Sequence, residues 1–155
     1  MPQLPFHPPG ESRELAEDIR ALFEDLAATL EHEQRAYSGE YHPSLDVLES
    51  ERAVEIVVDV AGIPPEALRV VFRAGVLIVA GEKAPAHAGT DQTFHLVERE
   101  FGRFARAVRL SGAFDVGTSR AIVQDGELTV ILSKLQDRRN QAHRIPVHPA
   151  TPPPQ

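Results

Sequence analysis

The sequence predicts an all-β fold, an antiparallel β-sandwich preceded by one amphipathic helix. Three observations carry this. Between Pro43 and Lys134 apolar residues recur at every second position in short runs rich in β-branched side chains. Glycine and proline punctuate those runs at turn spacing, and no helical stretch interrupts them. Ahead of them, from Glu11 to about Arg35, the apolar period is that of a helix.

The chain of 155 residues suits one domain with tails. Its expected organisation is an N-terminal arm over residues 1–42, a sandwich over 43–135 and a flexible C-terminal extension over 136–155. Met1–Gly10 carries Pro2, Pro5, Pro8 and Pro9 and is not expected to be helical. Leu15, Ile19, Leu22, Phe23, Leu26 and Leu30 then follow i, i+3, i+4, i+7 spacing. Ser12 is the expected N-cap, and Glu14, Glu17 and Asp18 suit the positive end of the helix dipole. The polar face is acidic, which disfavours anionic membrane. The apolar stripe needs a cover, because an isolated helix of this length is marginal in water. That cover is either the chain's own fold or a partner.

Expected strands run over Val54–Val60, Leu68–Arg73, Val76–Ala80, Thr93–Val97, Phe104–Leu110, Arg120–Gln124 and Leu128–Leu132. Ala74-Gly75 and Asp125-Gly126 are the hairpin turns between neighbours. The stretch Gly81–Gly102 is long for a loop, and a long loop in a compact domain is commonly functional. Thr93–Val97 reads as a strand embedded in it. In the tail, Ile145-Pro146-Val147 is one apolar island in polar, proline-rich sequence. Pro146 biases Ile145 towards extended geometry, so Ile145 and Val147 project to one side.

Composition narrows the function. The chain has no cysteine, which excludes disulfides and thiolate metal sites. Its formal net charge of -7 and scattered basic residues provide no face for nucleic acid. No apolar run is long enough to span a bilayer. Met1-Pro2-Gln3-Leu4-Pro5 lacks the basic and apolar regions of a secretory signal, so the expected compartment is the cytoplasm. No phosphate-binding loop, HExxH or GxSxG motif occurs, and the seven histidines show no ligand spacing. An enzyme, a metal site and a cofactor are therefore not expected.

Five further segments fall in a recognisable order. They are Pro43-x-x-Asp46-Val47, the run Val54–Val60 with Ala61-Gly62, Glu98-Arg99-x-Phe101-Gly102-x-Phe104-x-Arg106, Ala121-x-x-x-Asp125-Gly126-x-Leu128, and Ile145-Pro146-Val147. Together they resemble the small heat-shock protein family, bacterial type. Three positions depart from the family pattern: Ala61 and Ser133 replace prolines, and Glu127 replaces a valine.

The resemblance implies an immunoglobulin-like β-sandwich, the alpha-crystallin domain. It also implies an ATP-independent chaperone that holds partly unfolded clients and passes them to ATP-dependent refolding chaperones. The implied partners are clients and a second copy of the chain, in a homodimer or a higher oligomer. The expected client-binding face is Leu15, Ile19, Leu22, Phe23 and Leu26. Phe94, Leu96 and Arg106 are the expected dimer contacts, with Thr93–Val97 exchanged onto the neighbour's edge near Ser44–Val47. Ile145 and Val147 are expected to dock on another subunit in a groove lined by Val70, Phe72, Ala121 and Val123. The competing reading is a monomeric co-chaperone sandwich of the CS-domain kind that binds one folded partner.

Overall fold

A computed structural model describes residues 9–29, 41–85 and 89–135. Helix α1 spans Pro9–Thr29 and is followed by β1 (Leu45–Glu49), β2 (Ala53–Asp59), a 3-10 turn at Pro65–Ala67, β3 (Leu68–Arg73) and β4 (Val76–Lys83). Then come β5 (Gly102–Arg109), β6 (Phe114–Gln124) and β7 (Glu127–Lys134). The strands form two antiparallel sheets, β1-β2-β7-β6 and β3-β4-β5.

Alternation explains the core. On β2, Val54, Ile56 and Val58 are buried and face Leu128, Val130 and Leu132 of β7 in register. The opposite sheet contributes Leu68, Leu77, Val79 and Phe104. Burying each such side chain stabilises the fold by about 1.5–3 kcal/mol. Both expected hairpins form with positive φ at the two central residues, Ala74 (50°) and Gly75 (77°), and Asp125 (52°) and Gly126 (83°). That geometry matches the right-handed strand twist, which is why these dipeptides close the β3–β4 and β6–β7 turns.

Strand β4 differs from the rest. Its residues Leu77, Val79 and Gly81 face the sandwich, yet Ile78, Ala80 and Glu82 on its other face are buried too. Helix α1 supplies the second cover, packing on β4, β3 and the 3-10 turn.

Four expectations are corrected. The helix starts at Pro9, so Pro9 and Gly10 are helical and Ser12 lies inside the first turn instead of capping it. Proline suits that place because its fixed φ is helical and its missing N–H is not needed there. The remainder of the expected helix, with Leu30, falls outside the described residues. Strand β1 was not among the expected strands, since Leu45–Glu49 shows little β-branched character. Strand β6 begins at Phe114, well before Arg120, with a bulge between Asp115 and Arg120. There side chains replace ladder bonds: Gly117 N–H donates to Asp115 Oδ1 (3.0 Å) and Ser133 N–H to Ser119 Oγ (3.2 Å). Finally, Thr93–Val97 is not a strand in the single chain. Its alternating residues have no neighbouring edge to pair with, and alternation alone does not satisfy backbone groups.

Candidate functional site

The apolar stripe of α1 is turned towards the chain's own sheet. Leu26 is 1% exposed, while Leu15, Ile19, Leu22 and Phe23 are half-buried. The acidic face meets arginines of β3. Arg73 Nη1 donates to Asp18 Oδ1 at 2.7 Å, and Arg69 Nε donates to Asp25. Arg69 also donates from Nη2 to Thr29 Oγ1 (2.8 Å) and from Nη1 to the main-chain oxygens of Glu66 (2.8 Å) and Leu68 (2.9 Å). A third arginine, Arg103 of β5, pairs through Nε with the buried Glu82 at 3.2 Å. Its guanidinium lies 5.7 Å from the Phe23 ring centroid, within cation–π range. Sequence reading missed this set. Arg69 and Arg73 lie four apart on a strand and Asp18 and Asp25 seven apart on a helix, so each pair shares a face. That spacing was the available signal.

Phe94 and Leu96 sit in the irregular segment before β5. They are 52% and 72% exposed, and with Val97 they line an open pocket that Pro85 and Phe101 complete. Arg106 is on the inward face of β5, opposite Val79 of β4. It reaches the Pro43 carbonyl oxygen. Beside it, Tyr41 locks the chain onto the sandwich. Its N–H donates to Arg103 O (3.2 Å), its hydroxyl donates to Asp59 O (3.0 Å), and its ring meets Phe104 edge-on at 5.6 Å. Burial, followed by the Asp59 and Glu100 carboxylates, pushes the Tyr41 hydroxyl pKa up from 10.0.

Val70 and Phe72 point inward from β3, opposite Val79 and Leu77, while Ala121 and Val123 point inward from β6, opposite Val130 and Leu128. Among the described residues β3 pairs only with β4 and β6 only with β7, so each strand has a free edge. The two edges are stacked, as the edge-on Phe72–Phe114 contact at 5.4 Å shows. Val70 and Phe72 thus lie on one of these free-edge strands and Ala121 and Val123 on the other. Val70, Phe72 and Val123 are half-buried against the core and Ala121 is exposed. Ile145 and Val147 lie outside the described residues. Among the described residues, no group of three or more His, Cys, Asp or Glu side chains could hold a metal ion.

These features match known proteins. The family model described as "Hsp20/alpha crystallin family" matches residues 46–148. Heat shock protein 16 of Schizosaccharomyces pombe is 28% identical over 120 residues, covering 76% of this chain and 84% of that protein. The 18.9 kDa heat shock protein of Oryza sativa is 33% identical over 105 residues, 67% of this chain and 59% of its own length. Among solved structures, heat shock protein 16.0 from S. pombe superposes with a TM-score of 0.60 at 28% identity, covering 70% of this chain and 100% of that one. A small heat-shock protein from Xylella fastidiosa does so with a TM-score of 0.60 at 25% identity, covering 70% and 98%. Because that family model matches well over half of the chain, residues 46–148, the chain belongs to the Hsp20/alpha crystallin family, the small heat-shock proteins.

Proposed function

We propose that this chaperone holds partly unfolded clients through the apolar stripe of α1, Leu15, Ile19, Leu22, Phe23 and Leu26, without ATP and without catalysis of its own. The observation that carries the reading is the way the stripe is stored. It lies on an outer sheet face instead of in the sandwich core, and each of its two ion pairs keeps one partner open to solvent, Asp25 at 62% and Arg73 at 58%. Such pairs contribute little, about 0–1 kcal/mol each. In this reading the helix lifts without unfolding the domain beneath it, because the sandwich core contains none of its residues. Exposed apolar surface then meets the exposed apolar surface of a client. The net charge of -7 keeps the loaded complex soluble by self-repulsion.

The working unit in this reading is a cytoplasmic homodimer or a larger assembly of dimers. Phe94 and Leu96 cross to a neighbour, and Ile145 and Val147 dock between β3 and β6 of another subunit. Clients pass onward to ATP-dependent refolding chaperones. Neither nucleic acid nor membrane is a partner; among the described residues no helix is long and apolar enough to cross a bilayer.

The test is removal of residues 1–40, keeping Tyr41 because it is part of the sandwich. The truncated protein is expected to remain a folded β-domain and to lose most of its capacity to suppress aggregation of a heated client. Undiminished protection would remove α1 from the client site.

A further inference from the structure

The storage of α1 says something about the surface beneath it. Ile78 and Ala80 are 1% and 0% exposed, yet neither belongs to the sandwich core; they lie under the helix. The face is also matched in charge. Arg69 and Arg73 are four residues apart on β3, about 13 Å at strand rise. Asp18 and Asp25 are seven apart on α1, about 10.5 Å at helical rise, a difference that two long side chains absorb. The pairing is antiparallel: Asp18 meets Arg73 at one end, and Asp25 meets Arg69 at the other. Fit is uneven. Leu26 is fully buried, but among the described residues clefts remain on both flanks of the helix, one lined by Leu15, Val76, Ile78 and Ala107, the other by Ile19, Phe23, Ala27 and Arg103. The face is therefore shaped for a helix, and its present occupant fills it incompletely.

We propose that the outer face of β3-β4-β5 is a second client surface, one that takes amphipathic helices carrying an apolar stripe flanked by two acidic side chains seven residues apart. Helix α1 is its built-in competitor. This rests on the chaperone reading of the chain but not on the stripe of α1 being itself a client site. The two surfaces differ in what they accept. The freed stripe takes any exposed apolar segment, whereas the sheet face takes a helix with matching charge. Because α1 belongs to the same chain, its effective concentration over the face exceeds that of a free helix, which competes only when α1 is weakened.

The probe is a fluorescent synthetic peptide with the sequence of residues 9–29, titrated into full-length protein and followed by anisotropy. A second peptide carries arginine at the two aspartate positions. Wild type is expected to bind both weakly. Asp18→Arg with Asp25→Arg repels α1 from the face, and the native peptide should then bind at least tenfold more tightly. Leu26→Asp, which leaves all four charged residues in place, should do the same. Arg69→Glu with Arg73→Glu also lifts α1, but this face should take the arginine peptide and refuse the native one. Combining all four substitutions reseats α1 and should return weak binding. Equal binding of both peptides to every variant would overturn the proposal. So would a lifted variant that binds neither peptide but gains mass over wild type in sedimentation, because the occupant would then be a second copy of the chain. Aggregation assays on the same proteins report the α1 stripe separately, so either surface can fail alone.

Discussion

The guanidinium of Arg106, on the inward face of β5, donates a hydrogen bond to the main-chain carbonyl of the buried Pro43. One side chain thereby ties the edge of the three-stranded sheet to the residues that lead into β1. Asp59 N–H donates to the neighbouring Ser44 carbonyl at 3.0 Å, so the same short segment is held from both sheets. One guanidinium nitrogen makes this contact, held at a reach and direction that the flexible stem of a lysine ammonium does not reproduce. Arg106→Lys should lower stability by no more than about 1.5–3 kcal/mol, the usual range for a hydrogen bond to a charged group. The variant should also weaken the dimer, because the Pro43–Ser44 segment it holds leads into β1, where Phe94 and Leu96 of a neighbour are proposed to cross. Urea midpoints and sedimentation velocity check the two effects separately.

Gly81 on β4 has no room for a side chain. A Cβ there would sit 2.6 Å from Phe104 Cε1 and 2.9 Å from the Ala67 carbonyl oxygen. The aromatic ring could tilt, but the carbonyl belongs to the backbone of the 3-10 turn. Gly81→Ala should therefore destabilise the domain by about 1–3 kcal/mol, as overpacking does. A shift of the urea midpoint at unchanged slope is the expected signature.

Phe94, Leu96 and Val97 are more exposed than large apolar residues of a finished surface usually are. Pairing this segment with a neighbour's β1 would cover them and close an open sheet edge. Deleting Pro85–Val97 should yield monomers with a folded sandwich. Light scattering across a dilution series reads the result, and a dimer of unchanged affinity would show that another surface joins the subunits.

Docking of the tail should be individually weak. Burying Ile145 and Val147 stabilises by roughly 3–6 kcal/mol at most. Ordering the tail costs about 1–2 kcal/mol for each backbone residue fixed. Assemblies larger than dimers then depend on several such contacts at once. Ile145→Ala with Val147→Ala should shift them to dimers without changing the thermal midpoint of the domain. Size-exclusion profiles at the concentration where wild type assembles will show it.

Legibility in the sequence followed the strength of local signals. Strands β2, β3, β4 and β7 were readable as short runs rich in β-branched residues between turn signals, and both tight hairpins because Ala74-Gly75 and Asp125-Gly126 accept positive φ. Strand β1 was not, since Leu45–Glu49 owes its conformation to pairing with β2. The first half of β6 hid behind Gly117 and the bulge. Thr93–Val97 shows the converse: a strand pattern without a partner edge stays irregular. At the candidate site, the α1 stripe and the inward positions of β3 and β6 follow from periodicity. The arginine–aspartate match between β3 and α1 does not, because it joins elements far apart in sequence. Nor does the burial of Glu82 beside Arg103, which depends on α1 covering the sheet.

As a small heat-shock protein, the chain should keep unfolding proteins in solution without nucleotide. The most direct measurement is turbidity of an unrelated client heated with and without substoichiometric protein in nucleotide-free buffer, then repeated with ATP. Suppressed turbidity, soluble client-containing complexes and no effect of ATP are expected. Client aggregation at the rate seen alone, or protection that appears only with ATP, would contradict that expectation.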